Sequence, residues 1–162
     1  MMSSKALISF LISATFLTSC SSEMTRDESF RRLQLFRDAG EEIGKSRCEK
    51  PPKVETRKQA NVHYPEVTDT VRTYHCPNAT IEIYESRLAS NPEIVQQVTS
   101  HKPASLPFGI GVGSTRAQVE AALGKATVAN ERGLQYSIET DSISFVSEKE
   151  RVTKVIWSST LL

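Results

Sequence analysis

A chain of 162 residues has room for one ordinary domain and hardly for two. Its 20 Lys and Arg nearly balance 19 Asp and Glu, and the signs are interspersed, so no basic surface gathers to neutralise phosphates; nucleic acid is not an expected partner. After Cys20 no apolar run approaches the roughly 20 residues that a membrane-spanning helix needs.

The first element is a leader. Lys5 precedes an uncharged apolar stretch from Ala6 to Leu17, and small residues follow before Cys20. A basic start and a short apolar core make a secretory signal that the mature protein loses. The stretch is too short for a transmembrane anchor, is interrupted by Ser9 and Ser13, and lacks an A-x-A-like cleavage site. Its ending, Leu17-Thr18-Ser19-Cys20, resembles the lipobox of bacterial lipoproteins. That resemblance implies removal of residues 1–19, a diacylglycerol on the Cys20 thiol and acylation of the new amine. Ser21 after the cysteine implies sorting to the outer membrane, with the domain on its periplasmic face. Each buried methylene adds about 0.8 kcal/mol, so two or more chains anchor stably.

With Cys20 lipidated, the three cysteines leave Cys48 and Cys76 in an oxidising compartment, where a disulfide is the default pairing. Neither has C-x-x-C spacing or neighbouring ligands, so no metal site and no other cofactor is expected.

Thr25 to Gly44 reads as an amphipathic helix. Thr25 and Glu28 fit a capping box, apolar residues from Phe30 to Ile43 recur near helical spacing, and Gly44 with Lys45 suits its end. Pro51-Pro52 and the polar stretch to Asn61 read as a linker. Residues 20–62 are thus expected to form a lipid-anchored helical stalk, and residues 63–160 a periplasmic α+β domain. Within that domain, Val67 to Cys76 and Thr80 to Tyr84 predict a hairpin, and Ile94 to Thr99 a further strand, with a short helix starting at Pro92 as the alternative. Thr115 and Gln118 form a second capping box, ahead of a short helix with Val119, Ala122 and Leu123 on one stripe and Gly124 at its end. Leu134–Ile138, Ile143–Phe145 and Val152–Trp157 predict three strands. The expected fold is therefore α+β: an amphipathic helix, then an antiparallel sheet with one short helix followed by a three-stranded meander.

The pattern Gly113-x-Thr115-x-x-x-Val119-x-x-x-Leu123-Gly124, followed by a meander with an aromatic, resembles the small outer-membrane-assembly lipoproteins of the SmpA/OmlA (BamE) type. It also looks like half of a β-lactamase-inhibitor-protein domain. The resemblance covers about residues 106–158. It implies that Thr115 caps a helix, Val119 and Leu123 pack on the sheet and Gly124 turns the chain. Ala126 stands where these families usually carry proline, and residues 60–105 have no counterpart in the assembly lipoproteins. Thr73-Tyr74-His75-Cys76 is similar, over a shorter span, to the Tyr-x-Cys of membrane-bound lysozyme inhibitors.

No catalytic pattern emerges. Gly109-Ile110-Gly111-Val112-Gly113 lacks G-x-G-x-x-G spacing and a βαβ context, and reads as a tight turn into a helix. His63, His75 and His101 have no triad or ligand partner at recognisable spacing, and Glu82 and Glu85 read as solvated. Tyr136, Phe145 and Trp157 alternate on strands and are expected in the core. The sequence thus predicts a non-catalytic outer-membrane lipoprotein, held in the membrane by its lipid, whose domain binds a protein partner. The alternative is a periplasmic inhibitor or immunity-type protein that binds a hydrolase.

Overall fold

The computed structural model describes residues 24–46, 48, 53–88, 90, 93–102 and 106–160. The leader, Cys20, Pro51-Pro52 and the Asn91-Pro92 turn signal lie outside them. Two helices, α1 (Arg26–Ser46) and α2 (Arg116–Leu123), accompany eight strands: β1 (Lys53–Ala60), β2 (Thr68–His75), β3 (Ala79–Glu85), β4 (Glu93–Ser100), β5 (Val128–Asn130), β6 (Gly133–Ile138), β7 (Asp141–Glu148) and β8 (Arg151–Ser159).

All eight strands form one antiparallel sheet in the order β1-β2-β3-β4-β8-β7-β6-β5. This corrects the expected architecture of a separate meander behind one short helix. The closing strand β8 pairs with β4 from Gln97↔Ser158 to Ser100↔Val155, which joins the early hairpin and the late meander into a continuous sheet. Lys53–Ala60, expected as linker, pairs with β2 along its whole length. Its side chains are almost all exposed, so the strand carries no apolar alternation to read. Of the segment expected as a stalk, α1 packs on the sheet and β1 is a strand of it, so these two elements are part of the folded unit.

The chain order of the elements is helix then four strands, twice over: α1 with β1–β4, and α2 with β5–β8. The sheet order mirrors about the β4–β8 pair. Each half is a meander with a helix over one face, and no repeat is evident in the sequence.

Both helices contribute to one core against one face of that sheet, built from Leu33, Phe36, Val119 and Leu123 above and Ile81, Ile83, Val98, Tyr136, Ile143, Phe145, Val155 and Trp157 below. Helix α2, with eight residues, covers little; the 21 residues of α1 cross both halves. Phe36 is fully buried, stacks on Trp157 with ring centroids 5.5 Å apart and tilts against Phe145 at 5.3 Å. The Trp157 indole N–H donates to the Phe36 carbonyl at 2.9 Å, so the helix backbone itself is held by the central strand.

That approach requires glycine. A Cβ at Gly40 would fall inside the Trp157 indole, and one at Gly44 would lie 2.6 Å from Val95 Cγ1. Gly44, expected to stop the helix, instead lies within it and lets it settle on β4. In turn α1 closes α2. Arg32 Nη1 donates to the Ala122 carbonyl at 3.1 Å, Ser29 Oγ donates to that of Leu123, and Tyr136 Oη donates to that of Gly124 at 3.0 Å. The free carbonyls of a helix end are thereby satisfied from neighbouring elements. At the other end of α1, Cys48 and Cys76 form a disulfide with Cα atoms 5.9 Å apart. Closing a loop of 28 residues constrains the unfolded chain by about 3–4 kcal/mol in the chain-entropy model.

The Gly40 contact has a decisive test, because two effects oppose each other there. Helix propensity favours Gly40→Ala by about 1 kcal/mol, whereas crowding in a packed contact costs about 1–3 kcal/mol. Gly40→Ala should lower the urea midpoint, and Phe36→Ala should cost about 3–5 kcal/mol. A Gly40→Ala variant more stable than the parent would refute the contact.

Candidate functional site

The best-defined polar arrangement lies on the sheet face away from the helices, at the end of β1 to β4. Val71 and Tyr84 face each other across β2 and β3, opposite in phase to the core residue Ile83, and both are buried. Asp69, two residues before Val71 on the same face, is buried with them. A carboxylate there must be hydrogen-bonded, and both of its oxygens are. Oδ1 accepts from the Arg87 backbone N–H at 2.8 Å. Oδ2 accepts from the Tyr84 hydroxyl and, at 2.7 Å, from the Asn61 amide.

Asn61 completes the arrangement. Its side-chain oxygen accepts from the backbone N–H groups of His63 and Tyr64, each at 2.9 Å, an Asx-type turn that shapes the β1–β2 connection. Its own N–H donates to the Val67 carbonyl at 2.8 Å, closing that turn. One carboxylate therefore ties together the β1–β2 turn, β3 and the β3–β4 connection.

The electrostatics follow. The Tyr84 hydroxyl and the Arg87 N–H hold the Asp69 carboxyl below the usual carboxylate range. Burial, reinforced by the adjacent Asp69 charge, pushes the Tyr84 phenol up to about 12. The Asp69 contribution to stability is complete above the ordinary value of about 4 and is lost as pH falls through the lowered one. That of Tyr84 is complete below about 10 and is lost as pH rises toward its raised value. The arrangement is thus intact across the neutral range.

On this fixed frame sit four exposed apolar side chains: Val62, Tyr64, Leu88 and Ile94, at 54%, 54%, 55% and 39% exposure. They line a cleft of about 440 Å³ with Asn61 and Tyr84. A second cleft of about 590 Å³ adjoins it through the shared residues Ile94 and Ser159, and runs under α1 beside Arg37, Lys45 and Trp157. In it Ser159 Oγ donates to Asp141 at 2.7 Å, and Arg37 lies 4.0 Å from the same carboxylate. Large exposed apolar groups held together in this way have the character of an interface anchor.

The residues marked by the sequence fall elsewhere. Thr115 caps α2 with a reciprocal Gln118 bond, Val119 and Leu123 are fully buried beneath it, and Gly124 ends it at φ 86°. Gly113, at φ 96°, turns the chain and donates its N–H to the Val152 carbonyl at 2.8 Å. These positions build the fold. Tyr136, Phe145 and Trp157 are core. His75 lies 3.4 Å from Glu55, His101 bonds Thr80 at 3.1 Å, and only His63 lines either cleft. Glu82 and Glu85 pair with Arg57 and Arg72 at 3.6 and 2.9 Å. Among the described residues no three His, Cys, Asp or Glu side chains gather as metal ligands.

Asn61, Asp69 and Tyr84 were not singled out by sequence. The available signal was Asp69 itself, an acid in phase with Val71 on a strand. Comparison with family models, with curated proteins and with solved structures finds no match for the chain.

The phenol provides the check. The phenolate absorbance difference between the parent and Tyr84→Phe should rise near pH 12, and Asp69→Asn should move that rise toward 10. A Tyr84 titration already centred at 10 in the parent would contradict the buried pair.

Proposed function

We propose that this chain is a non-catalytic, lipid-anchored module of the bacterial outer membrane. Its periplasmic domain binds another protein through the Val62, Tyr64, Leu88 and Ile94 surface. The observation that carries this reading is the pairing of exposed apolar side chains with the buried Asp69–Tyr84–Asn61 frame, which holds their backbone in place before any partner arrives. Preformed anchors of this kind avoid an ordering cost on binding.

The Leu17-Thr18-Ser19-Cys20 sequence supports the anchor. Among the described residues no helix is long and apolar enough to cross a membrane. From Cys20 to Thr25 the chain spans at most about 18 Å. Helix α1 then runs about 31 Å across the sheet, to the point where Gly44 meets Val95, next to Ile94. The binding surface would therefore lie about a helix length from the tether.

A periplasmic inhibitor of a hydrolase is the alternative. It is favoured by the helix-plus-four-strands unit occurring twice, since the second unit is the part that resembles half of a β-lactamase-inhibitor domain.

Site-specific photocrosslinking separates the two. A probe at His63, which lines the same cleft, in lipidated protein should capture outer-membrane assembly proteins, whereas a probe at Val128 on the far edge should not. Tyr64→Ala and Leu88→Ala should each weaken capture about thirtyfold. Capture of a single soluble hydrolase would instead establish the inhibitor, and undiminished capture by both variants would reject this surface.

A further inference from the structure

Strand β1 ends the sheet, and among the described residues it pairs only with β2. The other edge, β5, is three residues long, while β1 has eight, with no proline and an unbroken register. An edge of that length is a ready template for another strand unless its side chains forbid it. The geometry points to a homodimer in which β1 pairs antiparallel with β1 of a second copy, making one sheet from two.

The side chains select a single register. A two-fold axis normal to the sheet keeps each face on its own side, so facing residues must share strand phase and the axis must fall on a residue. Centred on Glu55, the pairing sets Glu55 against itself and Lys53 against Arg57. Centred on Arg57, it sets two guanidinium groups together. Like charges directly opposite destabilise a sheet. Centred on Thr56, it sets Glu55 against Arg57 of the second copy, and Arg57 against its Glu55. Thr56 then meets Thr56, Val54 meets Lys58, and residues 53–59 all find partners. Registers centred further along pair fewer residues.

Both charges already have partners within the chain, and a facing strand would share them. Glu55 lies 2.8 Å from Lys53 in an exposed contact, and Arg57 3.6 Å from the half-buried Glu82. His75 also lies 3.4 Å from Glu55, and Arg57 Nη1 donates to Gln59 Oε1 at 2.5 Å. The same charges repel misaligned strands, so they act as selectors of register. The axis also leaves both helix layers on one side of the joined sheet, although the dimer does not depend on the lipid anchor.

The test uses the full chain in detergent, with the Cys48–Cys76 disulfide intact. Thr56→Cys should give an interchain disulfide, visible as a doubled mass on a non-reducing gel. Val54→Cys and Lys58→Cys should crosslink only when mixed with each other. By sedimentation, Arg57→Glu or Glu55→Arg should weaken the dimer about tenfold, and Glu55→Arg with Arg57→Glu together should restore it. Absence of a Thr56→Cys dimer, equal crosslinking by Lys58→Cys alone, or a double reversal as weak as either single change would overturn the proposal.

Discussion

The contact of Phe36 with Trp157 is where the two halves of this molecule become one. An eight-stranded sheet presents a long apolar face, and α2 is too short to cover it. The remaining helix must lie across both halves, and it can do so only if its backbone comes close to the central strands. Gly40 and Gly44, one turn apart, provide that approach, and the indole N–H of Trp157 fixes it by donating to the helix backbone. The carbonyls that end α2 are then satisfied by Arg32 and Ser29 of α1. Moving α1 away would uncover the core, leave the Trp157 N–H without its acceptor and open the end of α2. These effects are coupled, because they share one helix.

With the helices committed to one face, the other carries mostly polar side chains, with Val146 and Ile156 interspersed, and one small buried cluster. Gln135, Ser137, Ser142, Ser144, Ser158 and Gln97 alternate with core residues and point away from the helices. At the β1–β4 end, Val71, Tyr84 and Asp69 are buried instead, and their hydrogen bonds organise the turns around them. The surface proposed for binding exists because a carboxylate was placed where a valine or isoleucine would have completed the strand. Stability and recognition therefore depend on different parts of the domain. Aromatic packing under α1 holds the halves together, and the Asp69 cluster shapes their exposed end.

Much of this was legible in the chain, and the unread parts share a cause. Alternation revealed the strands from Val67 onward except β5, whose three residues are all exposed, capping chemistry revealed α2, and the expectation of an oxidising compartment pointed to the Cys48–Cys76 pair that the structure contains. Sequence periodicity reports burial on one side of an element, so β1, solvated nearly throughout, had no signal. Gly44 read as a helix stop because local chemistry favours that role; only the tertiary approach to Val95 shows otherwise. The β4–β8 pairing was hidden for the same reason, being a long-range choice between two strands that each looked complete. Asp69 was readable only by asking what a charge was doing in phase with Val71.

The claim on which the account turns is that α1 belongs to the folded domain and does not stand apart from it as a stalk. Native-state hydrogen exchange measures this directly. The amides of α1 from Leu33 to Ile43 should exchange only through the global opening that also releases β4 and β8, with the same free energy and the same dependence on denaturant. Exchange of α1 at a much lower free energy, with β4 and β8 still protected, would contradict it.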